Sequence, residues 1–277
     1  MRLGLIFLLL SIIVFAHGDE PDEHEEHATV WERLKIPDPM DLVYIASLVS
    51  GLAVIIALMA QHGLSEQGKK IIFIVIAVPV AVATLYLAGT TVYLNIISET
   101  GGPVHWHADY EIWTCGVSYE LVDPTGWDNK VGSPVFHEHN DNRMHAEGVL
   151  HKKTDASLSR FFTETGGKLE KAELILTTND GLKTWKNGEQ CNGKPAKLQV
   201  FVYQIVNVNP SQKSNFLYKQ VKLDDFTDYV LSEYANVPPG DCIIIEFDEE
   251  KNKTDKMCST YKIAIEKGDM KETQNGS

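Results

Sequence analysis

The chain has 277 residues and 38 acidic against 25 basic side chains, a net charge of −13. That balance argues against a nucleic-acid surface or a patch for anionic lipid headgroups, both of which need clustered Lys and Arg. Hydrophobic residues make up 44%, a globular average that hides a division along the chain. Three apolar runs crowd the first hundred residues, a layout that does not fit a conventional cytosolic enzyme, and the remainder reads as one soluble domain of roughly 180 residues, large enough to bury a core.

Residues 1–18 carry one basic residue, Arg2, an apolar stretch and the small-residue ending Ala16-His17-Gly18. This is the layout of a secretory signal peptide, and its run is shorter than the roughly 20 residues that a spanning helix needs. Residues 19–40 form an acidic linker containing His24 and His27. Two uncharged apolar stretches follow, about 42–60 and 71–97, the second interrupted by Pro79. Both are long enough to cross a bilayer, so residues 41–98 are expected to form a transmembrane hairpin. Its short link ends in Lys69-Lys70, which the positive-inside rule assigns to the cytoplasm. The domain at 99–277 then faces outward from the cytoplasmic membrane. Neither span contains Asp, Glu, Lys, Arg or His, so an ion pathway within the hairpin is not expected.

Cys115, Cys191, Cys242 and Cys258 all follow the second span, on the side where disulfides persist. Of the three possible pairings, Cys115–Cys191 with Cys242–Cys258 is preferred. No CxxC is present, which removes a thioredoxin-like motif and a zinc ribbon. Asn252-Lys-Thr254 and Asn275-Gly-Ser277 are glycosylation triplets of low specificity.

Within the domain, alternation and β-branched content predict strands at 105–114, 117–122, 144–151, 174–178, 198–206, 242–247 and 261–265. Cys115-Gly116 reads as a tight turn and 123–134 as a loop. Asp155 is expected to cap a short helix at 157–165 that stops at Gly166-Gly167. Residues 224–234 fit a helix or a covering loop. The fold class is α+β, with a β-grasp-like sheet as the specific expectation.

The chemistry sits in the histidines. Five of ten lie between residues 105 and 145, as His105-Trp-His107, His137-Glu-His139 and His145. An HxH pair on a strand puts both imidazoles on one face, about 6–7 Å apart at their Cα atoms. Two such pairs and a fifth histidine can supply a three- to five-nitrogen metal site. Imidazole-rich, thiolate-poor ligation favours Zn²⁺ or Cu²⁺. Asp109 and Glu111 share the face of His105 and His107, and Glu147 bears the same relation to His145. These carboxylates can ligate or orient an imidazole. Several familiar motifs begin and fail. Tyr110 replaces the last histidine of HxHxDH, the cupin HxHxxxE at 105–111 lacks its second motif, and Cys115 lacks the neighbours of a blue-copper site. HExxH, GxSxG and a phosphate-binding glycine loop are absent.

The strings His105-Trp-His107-Ala-Asp-Tyr-Glu-Ile-Trp-Thr-Cys-Gly116, His137-Glu-His139-Asn-Asp-Asn-Arg-Met-His145-Ala-Glu147-Gly and Pro238-Pro-Gly-Asp-Cys242 resemble a family of extracytoplasmic, often membrane-anchored proteins of archaea and bacteria. Phe161-Phe162 and Gly240-Asp241 fit its short helix and final strand. The resemblance spans about 104–247 and implies metal binding by the five histidines; the family carries no established activity. The Gly-Asp strand ending is also similar to β-grasp domains. Three functions follow: a metal-handling or sensing module, a histidine-ligated metalloenzyme, or a non-catalytic assembly subunit docked to a membrane-protein partner. The first is the leading expectation.

Overall fold

The structure, a computed structural model, describes residues 29–273 except 61, 126, 128, 210–212 and 234–239. The expected signal peptide, residues 19–28 of the acidic linker and the Asn275 triplet lie outside the described residues. A short helix α1 (Val30–Leu34) precedes two long ones, α2 (Pro39–Ala60) and α3 (Glu66–Ile97). Both long helices are apolar and long enough to cross a membrane, with mean hydropathies of 2.5 and 2.7. Pro39 starts α2 where its missing N–H costs nothing. Ser65 caps α3 by accepting from the Gly68 amide at 3.1 Å. Pro79 lies inside α3 without ending it. The hydroxyls of Thr84 and Thr91 donate to the carbonyls of Val80 and Leu87, which keeps them paired in apolar surroundings.

The strand-rich domain contains β1 (Pro103–Thr114), β2 (Val117–Tyr119), β3 (Val131–Gly132), β4 (Phe136–Glu138), β5 (Arg143–Val149), α4 (Leu158–Glu164), β6 (Lys168–Leu169), β7 (Glu173–Thr178) and β8 (Gly181–Lys186). After these come β9 (Gln190–Cys191), β10 (Lys194–Pro195), β11 (Lys197–Ile205), β12 (Phe216–Leu223), β13 (Asp241–Asp248), α5 (Ser259–Glu266) and β14 (Met270–Glu272). The main sheet has the order β14-β12-β11-β13-β1-β5-β4-β3, with β2 also paired to β1. At its centre β1 and β13 run parallel, and β5 and β11 flank them antiparallel.

Each face of this sheet carries a core, the second centred on β11, β12 and β13. Trp106, Ala108, Tyr110 and Ile112 of β1 join Met144, Ala146, Val200 and Ile243 in a core sealed by Leu158, Phe161 and Phe162 of α4. Phe161 and Phe162 are fully buried, each a gain of about 1.5–3 kcal/mol over exposure. On the opposite face Phe201, Tyr203, Cys242 and Ile244 pack against Cys258 and Tyr261 at the start of α5. Two disulfides pin these layers, Cys115–Cys191 and Cys242–Cys258. Their sequence separations are 76 and 16 residues, and loop closure assigns them about 4–5 and about 3 kcal/mol.

Several local expectations change. Residues 261–265 are helical, within α5, because Tyr261, Ala264 and Ile265 meet the sheet at helical spacing. Over five residues, alternation and a helical stripe are not separable. The strand expected at 117–122 stops at Tyr119. Ser157, not Asp155, caps α4, by accepting from the Arg160 amide. Asp155 instead accepts from the Lys152 amide and pairs with Arg33 at 2.6 Å. The described part of 224–234 is a covering loop, with Phe226 and Leu231 buried. The loop expected at 123–134 contains β3, and β4, β6, β8, β9, β10, β12 and β14 lie outside the strands expected from sequence; β8 is largely exposed, so tertiary pairing rather than an apolar run defines it.

The helical part is tied to the domain at one end of β1 and β5. Ser98 Oγ donates to the Leu150 carbonyl at 2.5 Å, and the Glu99 amide to the His151 carbonyl at 3.1 Å. The first residues of β1, including His105 and His107, therefore begin only a few residues beyond α3.

Candidate metal centre

Alternation along β1 sends Trp106 and Ala108 into the α4 core and leaves His105 and His107 on the other face. The register with β5 sets His107 opposite His145 and His105 opposite Glu147. Across the next strand His137 of β4 stands opposite His145. Side chains opposite one another in adjacent strands share a face, so one surface collects histidines from three strands.

Four of these side chains converge. His105, His107, His145 and Glu147 each offer one ligand atom, and these atoms lie within 4.8 Å of one another. The ring centroids of His105 and His107 are 4.5 Å apart, and those of His107 and His145 are 4.6 Å apart. Glu147 Oε1 is 2.9 Å from His105 Nε2 and 4.0 Å from His145 Nδ1. His145 Nε2 donates to Asp141 at 3.3 Å, an interaction that fixes the tautomer and leaves Nδ1 as the lone-pair nitrogen.

His107 Nε2 is buried and has no hydrogen-bond partner among the described residues. Leaving such an atom unsatisfied costs about 1–3 kcal/mol, and an ion is one of the few groups that removes that penalty. Burial, reinforced by His145, His105 and Arg143, lowers the His107 pKa to about 4 against the opposing pull of Glu147. Burial also lowers the pKa of His145, against Asp141, and of His137, where His139 adds to it. These three imidazoles are neutral near pH 7, the form that ligates a cation. The group can hold a metal ion. Around one ion, donors stand about 3–3.5 Å apart given bonds of 2.0–2.1 Å, so the widest gap in this group must close by about 1–2 Å on binding.

His137 and His139 lie beside this group rather than in it. Their rings are 4.8 Å apart, and the His139 ring is 4.9 Å from that of His145. His137 is buried and stacks parallel to His145 at 5.6 Å. Asp109 and Glu111 share the histidine face yet serve other partners. Asp109 accepts from Arg143 Nε at 2.7 Å and from the Thr260 hydroxyl of α5. Glu111 accepts from Trp113 Nε1 at 2.8 Å. The expectation that either orients a histidine is therefore replaced. Glu147 and Asp141 take that place, and Asp141 escaped the sequence because only the β4–β5 loop brings it back to His145.

Gly240 explains part of the Pro-Pro-Gly-Asp string. Its φ is +53°, and a Cβ there would strike the His107 carbonyl oxygen. Only glycine lets the chain entering β13 pass so close to the histidine strand. Concavities of about 720 and 550 Å³ lie elsewhere, one beside Asn187 and Glu249 and one beside Tyr229 and Asp241. Compared with family models, curated proteins and solved structures, the chain matches none.

Proposed function

We propose that this protein is a membrane-anchored, extracytoplasmic metal-binding module that handles or senses Zn²⁺ or Cu²⁺. The observation that carries the reading is the convergence of three imidazoles and Glu147, one of which, His107, has a buried Nε2 without a hydrogen-bond partner among the described residues. All four cysteines are in disulfides, so the donors are nitrogen and oxygen, a set suited to divalent zinc or copper rather than Cu⁺. Disulfides and the Lys69-Lys70 link support an outward-facing domain anchored by α2 and α3. A cleaved signal at 1–18 and an acidic linker that concentrates cations near the domain complete the proposal. The parallel β1–β13 pair, flanked by β5 and β11 and gripping α4, supports a β-grasp-like origin, and the histidine strings support the family resemblance.

Binding rather than catalysis is favoured because the donors lie on a sheet face, while the concavities described above are lined by other residues. The test uses the full chain in detergent, without a polyhistidine tag, stripped with a chelator and dialysed against zinc or copper sulfate. Elemental analysis should find tightly held metal, with at least one ion fewer in His105→Ala/His107→Ala. A wild-type protein that retains neither metal refutes the proposal.

A further inference from the structure

The second HxH pair is supported in a way the first group does not require. The His137 Nδ1 is 3.1 Å from the Ser133 carbonyl oxygen, and the His139 Nδ1 is 2.5 Å from that of Asn129. A carbonyl oxygen only accepts, so both Nδ1 atoms carry the proton and both Nε2 atoms carry the lone pair. Asn129 precedes β3 and Ser133 follows it, so the two carbonyls flank the short strand that pairs with β4. β3 is held close to β4: an added Cβ at Gly132, whose φ is +119°, would reach the Phe136 carbonyl and the His137 backbone. Neither Nε2 has a hydrogen-bond partner among the described residues. Anchoring one ring nitrogen on a backbone carbonyl to present the other is the usual support of a metal-bound histidine.

The position of this pair matters equally. His145 stands between the two sets, with Nδ1 towards Glu147 and Nε2 towards Asp141. Asp141 is two residues beyond His139, and one of its oxygens accepts from His145, leaving the other for a cation. His137 is buried, and its bond to the Ser133 carbonyl offsets the cost of burying a polar ring at that nitrogen.

We propose that His137, His139 and Asp141 hold a second divalent cation, next to the one at His105, His107, His145 and Glu147, with the His145 ring between the two positions. This rests on the metal reading of the first group. The donor set is two imidazoles and one carboxylate. It is more open than the first group, because only the first has three or more donors within 4.8 Å among the described residues. The second ion therefore binds more weakly and exchanges faster.

The test is stoichiometry on the full chain in detergent, titrated with zinc sulfate and, separately, copper sulfate. Wild type should bind two ions in two steps, and His137→Ala/His139→Ala should lose only the weaker step. His139→Ala/Asp141→Ala leaves the buried His137 in place and should do the same, with circular dichroism checking the fold. At two equivalents of Cu²⁺, electron paramagnetic resonance should give a spin-coupled, broadened signal in wild type and an isolated-ion signal in both second-position variants. One ion in wild type, unchanged in those variants, overturns the second position. One ion that is lost in every variant means a single site shared by all five histidines, and also overturns it. No ion in wild type removes the first reading as well.

Discussion

Acidifying the metal-free protein should protonate an unfolded chain well before it protonates the folded site. An imidazole in the unfolded chain takes its proton near pH 6.5, whereas folded His107 takes it only at about 4. Between those values the unfolded state binds more protons, so the free energy of unfolding falls as pH drops through this window and levels off below it. A gap of about 2.5 pH units corresponds to an upper limit of about 3 kcal/mol. Solvent screening of a partly exposed ring reduces this to about 1–2 kcal/mol. His137 and His145, also lowered by burial, add in the same direction. The assay is a proton NMR titration of the histidine ring signals, with His107→Gln for assignment, alongside thermal melting from pH 7 to pH 4. Zinc should hold the melting temperature up at the alkaline end and lose its effect as the ligands protonate. A His107 signal titrating near pH 6.5, or a melting temperature that stays flat across the window, would refute the reasoning.

Two further outcomes follow from backbone and topology. Gly240→Ala places a methyl group against the His107 carbonyl at a positive φ. It should destabilise the domain by about 2–4 kcal/mol, lower the melting temperature by about 5–10 °C and weaken zinc binding; an unshifted melt would contradict the close approach. For membrane orientation, all native cysteines are paired, so single introduced thiols report cleanly. Asp180→Cys in the β7–β8 turn should react with an impermeant maleimide on intact cells, and Gly63→Cys between the long helices only after lysis. The reverse pattern would invert the proposed topology.

Much of the architecture follows from local pattern. The two apolar runs become α2 and α3 because length and composition alone suit them to a bilayer. The alternation of β1 is legible because a strand with one histidine face and one core face must repeat every two residues. The tight turn at Cys115-Gly116 also follows its residues, with φ of +51° and +81° at the two positions. Residues 261–265 mislead because a short apolar-polar alternation also satisfies a helix that the Cys242–Cys258 bridge pins at its first turn.

What the chain determines by itself is thus which residues share a face, as His105 does with His107 through the period of the strand; His139 lies just past the end of β4 and still sits beside His137. Which faces meet is a matter of register, and register depends on pairings between segments some forty residues apart. The match of His107 to His145 and of His105 to Glu147 turns separate pairs into one group. The same register sets Asp109 opposite Arg143, and α5 adds Thr260 to it, so a carboxylate that looked available in sequence is taken. His107 Nε2, buried and without a partner among the described residues, likewise belongs to the assembled sheet, which no local pattern encodes.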